Sequence, residues 1–222
     1  MDGDFLLNWR GEPLRLLAER ALLLPKQTTL VIADPHFGKT ATFRAAGIPL
    51  PPGTTSSDLE RLTQLIERWR PARLLVLGDF WHAREGWEAE TLAAFAAWRA
   101  AHQELNVTLV RGNHDRRAGD PPDDWKIDCH NEPLLEPPFA WRHYPATEPD
   151  AYAVAGHLHP VIRLRGASDK LQAPCFHFQA DVAVLPAFSR FTGGAAIRVQ
   201  AGDRVFAVGP GCVAEVPQRL YH

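Results

Sequence analysis

The chain has 222 residues, enough to bury a sizeable core in a single domain over residues 1–222, and 45% hydrophobic with 23% charged residues excludes disordered and fibrous classes. A formal net charge of -2 excludes a broadly basic surface that coats nucleic acid, so a polyanionic ligand would need its positive charge from bound cations. Cys129, Cys175 and Cys212 form no CxxC pair and leave one thiol over in any disulfide scheme; with the acidic Met1-Asp2-Gly3-Asp4 start and no apolar run near the roughly 20 residues that span a bilayer, this predicts a cytoplasmic protein outside the membrane.

Short strands are predicted first, at Phe5 to Trp9, Leu14 to Leu17 and Ala21 to Leu24, followed by the buried run Leu30 to Ala33. A helix is expected from Lys39 to Ala46 and a clearer one from Ser57 to Trp69, where Leu59, Leu62, Leu65, Ile66 and Trp69 share one face and Ser56 or Ser57 would cap it. A strand at Leu74 to Leu77, a helix over roughly Trp87 to Gln103 and a strand at Val107 to Val110 complete an alternating half. Beyond Gly112 only strand-like runs follow, at Phe139 to Trp141, Tyr152 to Ala155, Val161 to Leu164, Phe176 to Phe178, Val182 to Leu185, Ala195 to Val199 and Val205 to Val208. The Pro-rich pieces Pro49 to Gly53, Gly119 to Asp124 and Pro133 to Pro138 read as surface loops. The fold class is therefore α/β, with two packed mixed sheets forming a β-sandwich flanked by helices.

Three buried-type strands each end in a polar cluster: Asp34-Pro35-His36, Gly78-Asp79 through His82, and Gly112-Asn113-His114-Asp115. Parallel strands put their C-terminal ends at one edge, where these carboxylates, imidazoles and the amide converge. A fourth strand-like run ends in Gly156-His157-Leu158-His159. Singly, each has an ordinary reading, since Asp caps helices and Asn-His-Asp suits a turn. Their joint occurrence points to a metal site, and a mixed Asp/His/Asn set without thiolate suits Mn, Fe or Zn rather than structural zinc. Glycines before Asp79, Asn113 and His157 would let the backbone come close to the ion or substrate. Lys39, Arg116 and Arg117 follow the motif loops and are candidates for flanking phosphates, or simply solvated charges.

Read together, Asp34-x-His36, Gly78-Asp79-x-x-His82, Gly112-Asn113-His114-Asp115 and Gly156-His157-x-His159 resemble the signature of the calcineurin-like metallophosphoesterase superfamily. His82 stands where that superfamily usually has Asp, a substitution that marks its DNA-repair nucleases. Ala33 to Lys39, Leu185-Pro186-Ala187-Phe188 and Thr192-Gly193-Gly194 further resemble the bacterial ligase-associated DNA damage response endonucleases. The resemblance implies two divalent ions, Mn first with Fe or Zn as alternatives. Asp34, His36 and His159 would hold one ion, Asn113, His157 and a further histidine the other, and Asp79 both. His143, ending a strand-like run, is preferred to His130 as that histidine. Water activated by the ions would attack phosphorus in line, with His114 as general acid or oxygen donor oriented by Asp115, and His82 assisting. The implied substrate is DNA, single strands favoured, in repair beside a DNA ligase and helicase. A phosphatase or cyclic-nucleotide phosphodiesterase, and a non-catalytic metal-binding module, remain as alternatives.

Overall fold

The computed structural model describes residues 3–47, 54–165 and 170–220. The first sheet has seven strands in an order that follows the chain: β1 (Phe5–Trp9), β2 (Glu12–Leu17), β3 (Ala21–Leu24), β4 (Thr29–Ala33), β5 (Arg73–Leu77), β6 (Asn106–Val110) and β7 (Ile127–His130). Strands β1 to β4 form an antiparallel meander and β4 to β7 run parallel, the crossovers carrying α1 (Lys39–Ala45), α2 (Thr54–Trp69), α3 (Ala89–Ala101) and the short α4 (Asn113–Ala118). The second sheet holds β8 (Leu134–Glu136), β9 (Phe139–Trp141), β10 (Tyr152–Ala155), β11 (Pro160–Arg165), β12 (Lys170–Phe178), β13 (Val182–Val184), β14 (Ala195–Ala196), β15 (Arg204–Gly209) and β16 (Cys212–Glu215). Within it β9, β10 and β13 lie parallel, side by side.

All five residues of β4 are buried because successive side chains face opposite ways and both faces are covered. Val31 and Ala33 enter the core between the sheets with Leu75, Trp141, Phe176 and Phe206, whereas Leu30 and Ile32 enter the core under the helices with Leu59, Leu62 and Leu65 of α2 and Phe95 and Trp98 of α3. The two packed mixed sheets and flanking helices agree with the α/β expectation. Several local expectations need correction. Helix α2 begins at Thr54, so Ser56 and Ser57 lie inside it rather than capping it. The Pro133 to Pro138 loop contains the edge strand β8, and β7, β16 and α4 were not expected, being short and without a periodic apolar pattern long enough to read. Residues 49–53 of the first Pro-rich piece lie outside the described residues.

One segment joins the sheets at the site. The N–H of Leu185, just past β13, donates to the Ala155 carbonyl at the end of β10 (2.8 Å), and three residues later Phe188 N–H donates to the Ala33 carbonyl at the end of β4 (2.7 Å). The buried Arg61 of α2 clamps this crossing: its guanidinium pairs with Asp58 (3.0 Å), donates to the Phe188 carbonyl and lies 4.0 Å from the centre of the Phe188 ring. Arg20 adds a bond to the Ser189 carbonyl at 2.9 Å. The Leu185 to Phe188 motif thus aligns the ends of β4 and β10.

Candidate metal centre

The ends of β4, β5, β6, β9 and β10 meet at one edge, and the loops leaving them are tied to each other. His36 N–H donates to the Asp79 carbonyl (2.9 Å), Phe37 N–H to that of Phe80 (2.9 Å), and His82 N–H to that of Phe37 (3.0 Å), extending the β4–β5 pairing past the strand ends. Asp34, His36, Asp79, His157 and His159 all have φ between 46° and 69°, the left-handed region that costs most side chains energy and that Asp, Asn and His tolerate best. Such strain concentrated at one place marks a functional site. At Gly78 (φ 77°) a Cβ would lie 2.2 Å from His143 Nδ1, and at Gly112 one would lie 2.3 Å from Asp79 Oδ1. These glycines make room for the donor side chains themselves.

Of three donor groups among the described residues, two include a carboxylate, Asp34/His36/His159 and Asp79/His143/His157. In the first, His36 Nε2 and His159 Nε2 are 3.3 Å apart; in the second, His143 Nε2 is 3.0 Å from both His157 Nδ1 and Asn113 Oδ1. Nitrogens bound to one divalent ion at about 2.1 Å stand about 3.0–3.4 Å apart, so these separations fit co-ligands. The Asp79 carboxylate faces both sets, with Oδ1 3.4 Å from His143 Nε2 and Oδ2 3.8 Å from His36 Nε2. Backbone carbonyls fix the rings: His143 Nδ1–H donates to Leu77 (3.1 Å) and His159 Nδ1–H to Gly193 (3.1 Å), leaving both Nε2 atoms as lone-pair donors.

The electrostatics agree with cation binding. Asp34 is fully buried and its Oδ1 lacks a hydrogen-bond partner, while Oδ2 accepts from His157 N–H at 2.8 Å. An orphaned buried carboxylate oxygen is costly unless a cation meets it. Burial, reinforced by Asp34, pushes the Asp79 carboxyl up to about 8. Burial also holds His36, His143 and His157 below the ordinary imidazole range, keeping them in the neutral form that ligates. The Asp/His sets are thus suited to divalent ions.

His82 and His114 stand beside the first set, grouped with His36. Their rings stack at 5.0 Å and 23°, and burial, with the nearby Lys39 ammonium, lowers the His82 imidazole to about 4. The expected orientation of His114 by Asp115 needs correction. Asp115 is buried at the third position of α4, where its carboxylate accepts N–H bonds from Gly112 (2.9 Å) and Trp81 (3.3 Å), tying the β5 and β6 loops together. His114 is oriented instead by the His82 carbonyl, which accepts from its Nδ1–H. Asp115 therefore braces the loops and is not a partner of the imidazole.

Among the basic candidates, Lys39 donates to Thr192 Oγ1 (3.2 Å), and burial lowers its pKa against the pull of Asp79. Arg116 turns to Glu132 (3.4 Å) and Arg117 is exposed. His130 also ends a strand, but its Nε2 pairs with Asp128 at 2.7 Å and it lies in neither donor set. His177 is buried against Asp203 (2.7 Å). Sequence reading missed Glu132, whose carboxylate accepts the N–H groups of His143 and Tyr144 at 2.9 Å each, and Tyr144, whose ring lies 4.4 Å from that of His157. Neither carried a motif or periodic signal.

Residues 28–158, more than half of the chain, match the family described as calcineurin-like phosphoesterase. No curated protein matches. The crystal structure of Pseudomonas putida nuclease MPE superposes with a TM-score of 0.86 at 39% identity, covering 96% of this chain and 100% of that one. A second structure, the E. coli phosphoesterase Yfce, covers 85% of this chain and 97% of its own at 18% identity and a TM-score of 0.41, a likeness too distant to carry an argument. With the donor sets, the resemblance read in the motifs and the family match in agreement, the chain belongs to the calcineurin-like phosphoesterases.

Proposed function

We propose that this protein is a metal-dependent phosphodiesterase that cuts DNA internally, single strands in preference, in DNA repair. The observation that carries the reading is the pair of donor sets sharing Asp79 with the His82–His114 stack set beside them. The whole-length likeness to a nuclease supports it. Asp34, His36 and His159 would hold one divalent ion and Asn113, His143 and His157 the other, with Asp79 shared; Mn suits this O/N set, as do Fe and Zn. Divalent ions bound there would supply a nucleophile from water at neutral pH and would polarise a phosphoryl oxygen. Because the His82 carbonyl holds His114 Nδ1–H, proton exchange with the leaving oxygen occurs at His114 Nε2. Neutral His82 donates an N–H to a phosphate oxygen from the adjacent side, and Lys39 balances charge on the substrate. Work beside a DNA ligase and helicase in the reducing cytoplasm belongs to the same proposal.

The test is cleavage of circular single-stranded DNA by metal-stripped protein given Mn, Mg or Zn, with His157→Ala and His114→Ala alongside. Metal-dependent opening of the circle is expected, reduced on the order of 10²-fold or more in either variant. Turnover of small phosphate esters without cutting of the circle moves the function to a small-molecule phosphoesterase. Hydrolysis of neither class leaves a metal-binding module.

A further inference from the structure

Four rings lead outward from the donor sets, the first three stacked in a column. His114 stacks on His82 at 5.0 Å and 23°, His82 stacks on Phe43 of α1 at 6.0 Å and 23°, and Phe43 meets Phe191 edge-on at 6.4 Å and 84°. Phe191 is 40% exposed. Large apolar side chains scattered singly on a surface need no explanation, and Leu6, Leu135 and Leu171 are of that kind. Phe191 differs in its setting. Its neighbour Thr192 is bonded both to Lys39 Nζ (3.2 Å) and to His159 Nδ1 (3.1 Å), and Gly193 supplies the carbonyl that His159 uses. On its other side Ser189 is held by Arg20, and Phe191 N–H donates to Ser189 Oγ at 3.3 Å. The exposed ring is therefore held in place beside the donor sets by both flanks of its own segment.

We propose that Phe43 and Phe191 form a base-stacking shelf that takes the nucleobase next to the scissile phosphate, an inference that rests on the nuclease reading above. The occupant follows from the chemistry alongside. A phosphodiester held at the donor sets carries a sugar and base on each side, and a flat apolar ring within reach gains by stacking on an exposed aromatic. The chain's formal net charge of -2 leaves little broad attraction for a polyanion, so stacking supplies grip that a basic groove supplies elsewhere. Stacking tolerates every base, so the shelf favours unpaired strands, whose bases are free to turn outward, without selecting sequence.

The experiment uses the Mn-loaded protein and two end-labelled oligonucleotides, one with normal bases and one with abasic units on both sides of the cleaved linkage. Phe191→Ala is expected to raise KM for the normal strand about 10-fold or more while changing kcat little, Phe191→Trp to restore it, and the abasic strand to be cut alike by all three. A 2-aminopurine base at that position should be quenched on binding to the parent protein and not to Phe191→Ala, a readout independent of turnover. If Phe191→Ala cuts the normal strand like the parent protein and quenches 2-aminopurine equally, the shelf is overturned while the nuclease reading stands. Failure of the parent protein to cut any DNA overturns both.

Discussion

At the residue scale the centre is an arrangement the protein would not adopt for its own stability. Asp34 and Asp79 are both buried, burial and the neighbouring Asp34 charge raise the Asp79 carboxyl, and one oxygen of Asp34 has no hydrogen-bond partner. Because the Asp79 carboxyl in the folded protein rises to about 8 from an ordinary value of 3.8, its penalty on the metal-free fold is absent below about pH 4 and grows as pH rises toward 8. Asp79→Asn removes that penalty and keeps an oxygen to accept the His114 N–H (3.0 Å). We expect the metal-free variant to be more stable than the parent by about 2 kcal/mol at pH 8, with the gap closing toward pH 4. Added Mn should raise the Tm of the parent protein and leave that of the variant nearly unchanged. Thermal melts at both pH values, with and without Mn, check this; equal Mn-induced shifts would remove Asp79 from the ion-holding set.

At the scale of elements, what counts is how the strand ends are kept in register. Arg61 and Asp58 of α2 are a buried pair whose guanidinium also holds the Phe188 carbonyl, and burial raises the Asp58 carboxyl even though Arg61 opposes the shift. Arg61→Met leaves the buried Asp58 without its paired charge, held only through Ser189 and Arg190, and should cost about 3 kcal/mol, whereas Asp58→Leu with Arg61→Met should cost less, because no charge missing its partner is then buried. Urea unfolding of the two variants measures the difference. Elements with long apolar runs or an unbroken amphipathic face, such as β4, β5, α2 and α3, could be read directly from the sequence. The motif residues Asp34, His36, Asp79, His157 and His159 were readable too, because each follows such a run. What escaped was set by tertiary context: the short α4, the edge strands β7 and β8, the bracing role of Asp115, and Glu132 in a Pro-rich stretch with no period. A carboxylate one residue from an imidazole invites a dyad on paper, but the first turn of a helix points it at backbone amides instead.

For the whole molecule, the two sheets share one apolar core, with Leu75 and Leu77 of β5 meeting Trp141, Phe176 and Phe206 across it. Such a core predicts a single cooperative unfolding event. Tryptophan fluorescence, reporting Trp141 between the sheets and Trp98 and Trp125 under the helices, should change at the same urea concentration as far-UV circular dichroism; two separated transitions would divide the chain into independent units. The donors are divided between the same two sheets: Asp34, His36, Asp79 and Asn113 follow strands of the first, and His143, His157 and His159 follow strands of the second. The carbonyl that orients His159 comes later still, from Gly193. A chain leaving the ribosome therefore holds only four of these seven donors until His143 emerges and completes both sets only with His159, so the centre acquires its reactivity as a by-product of folding the second sheet.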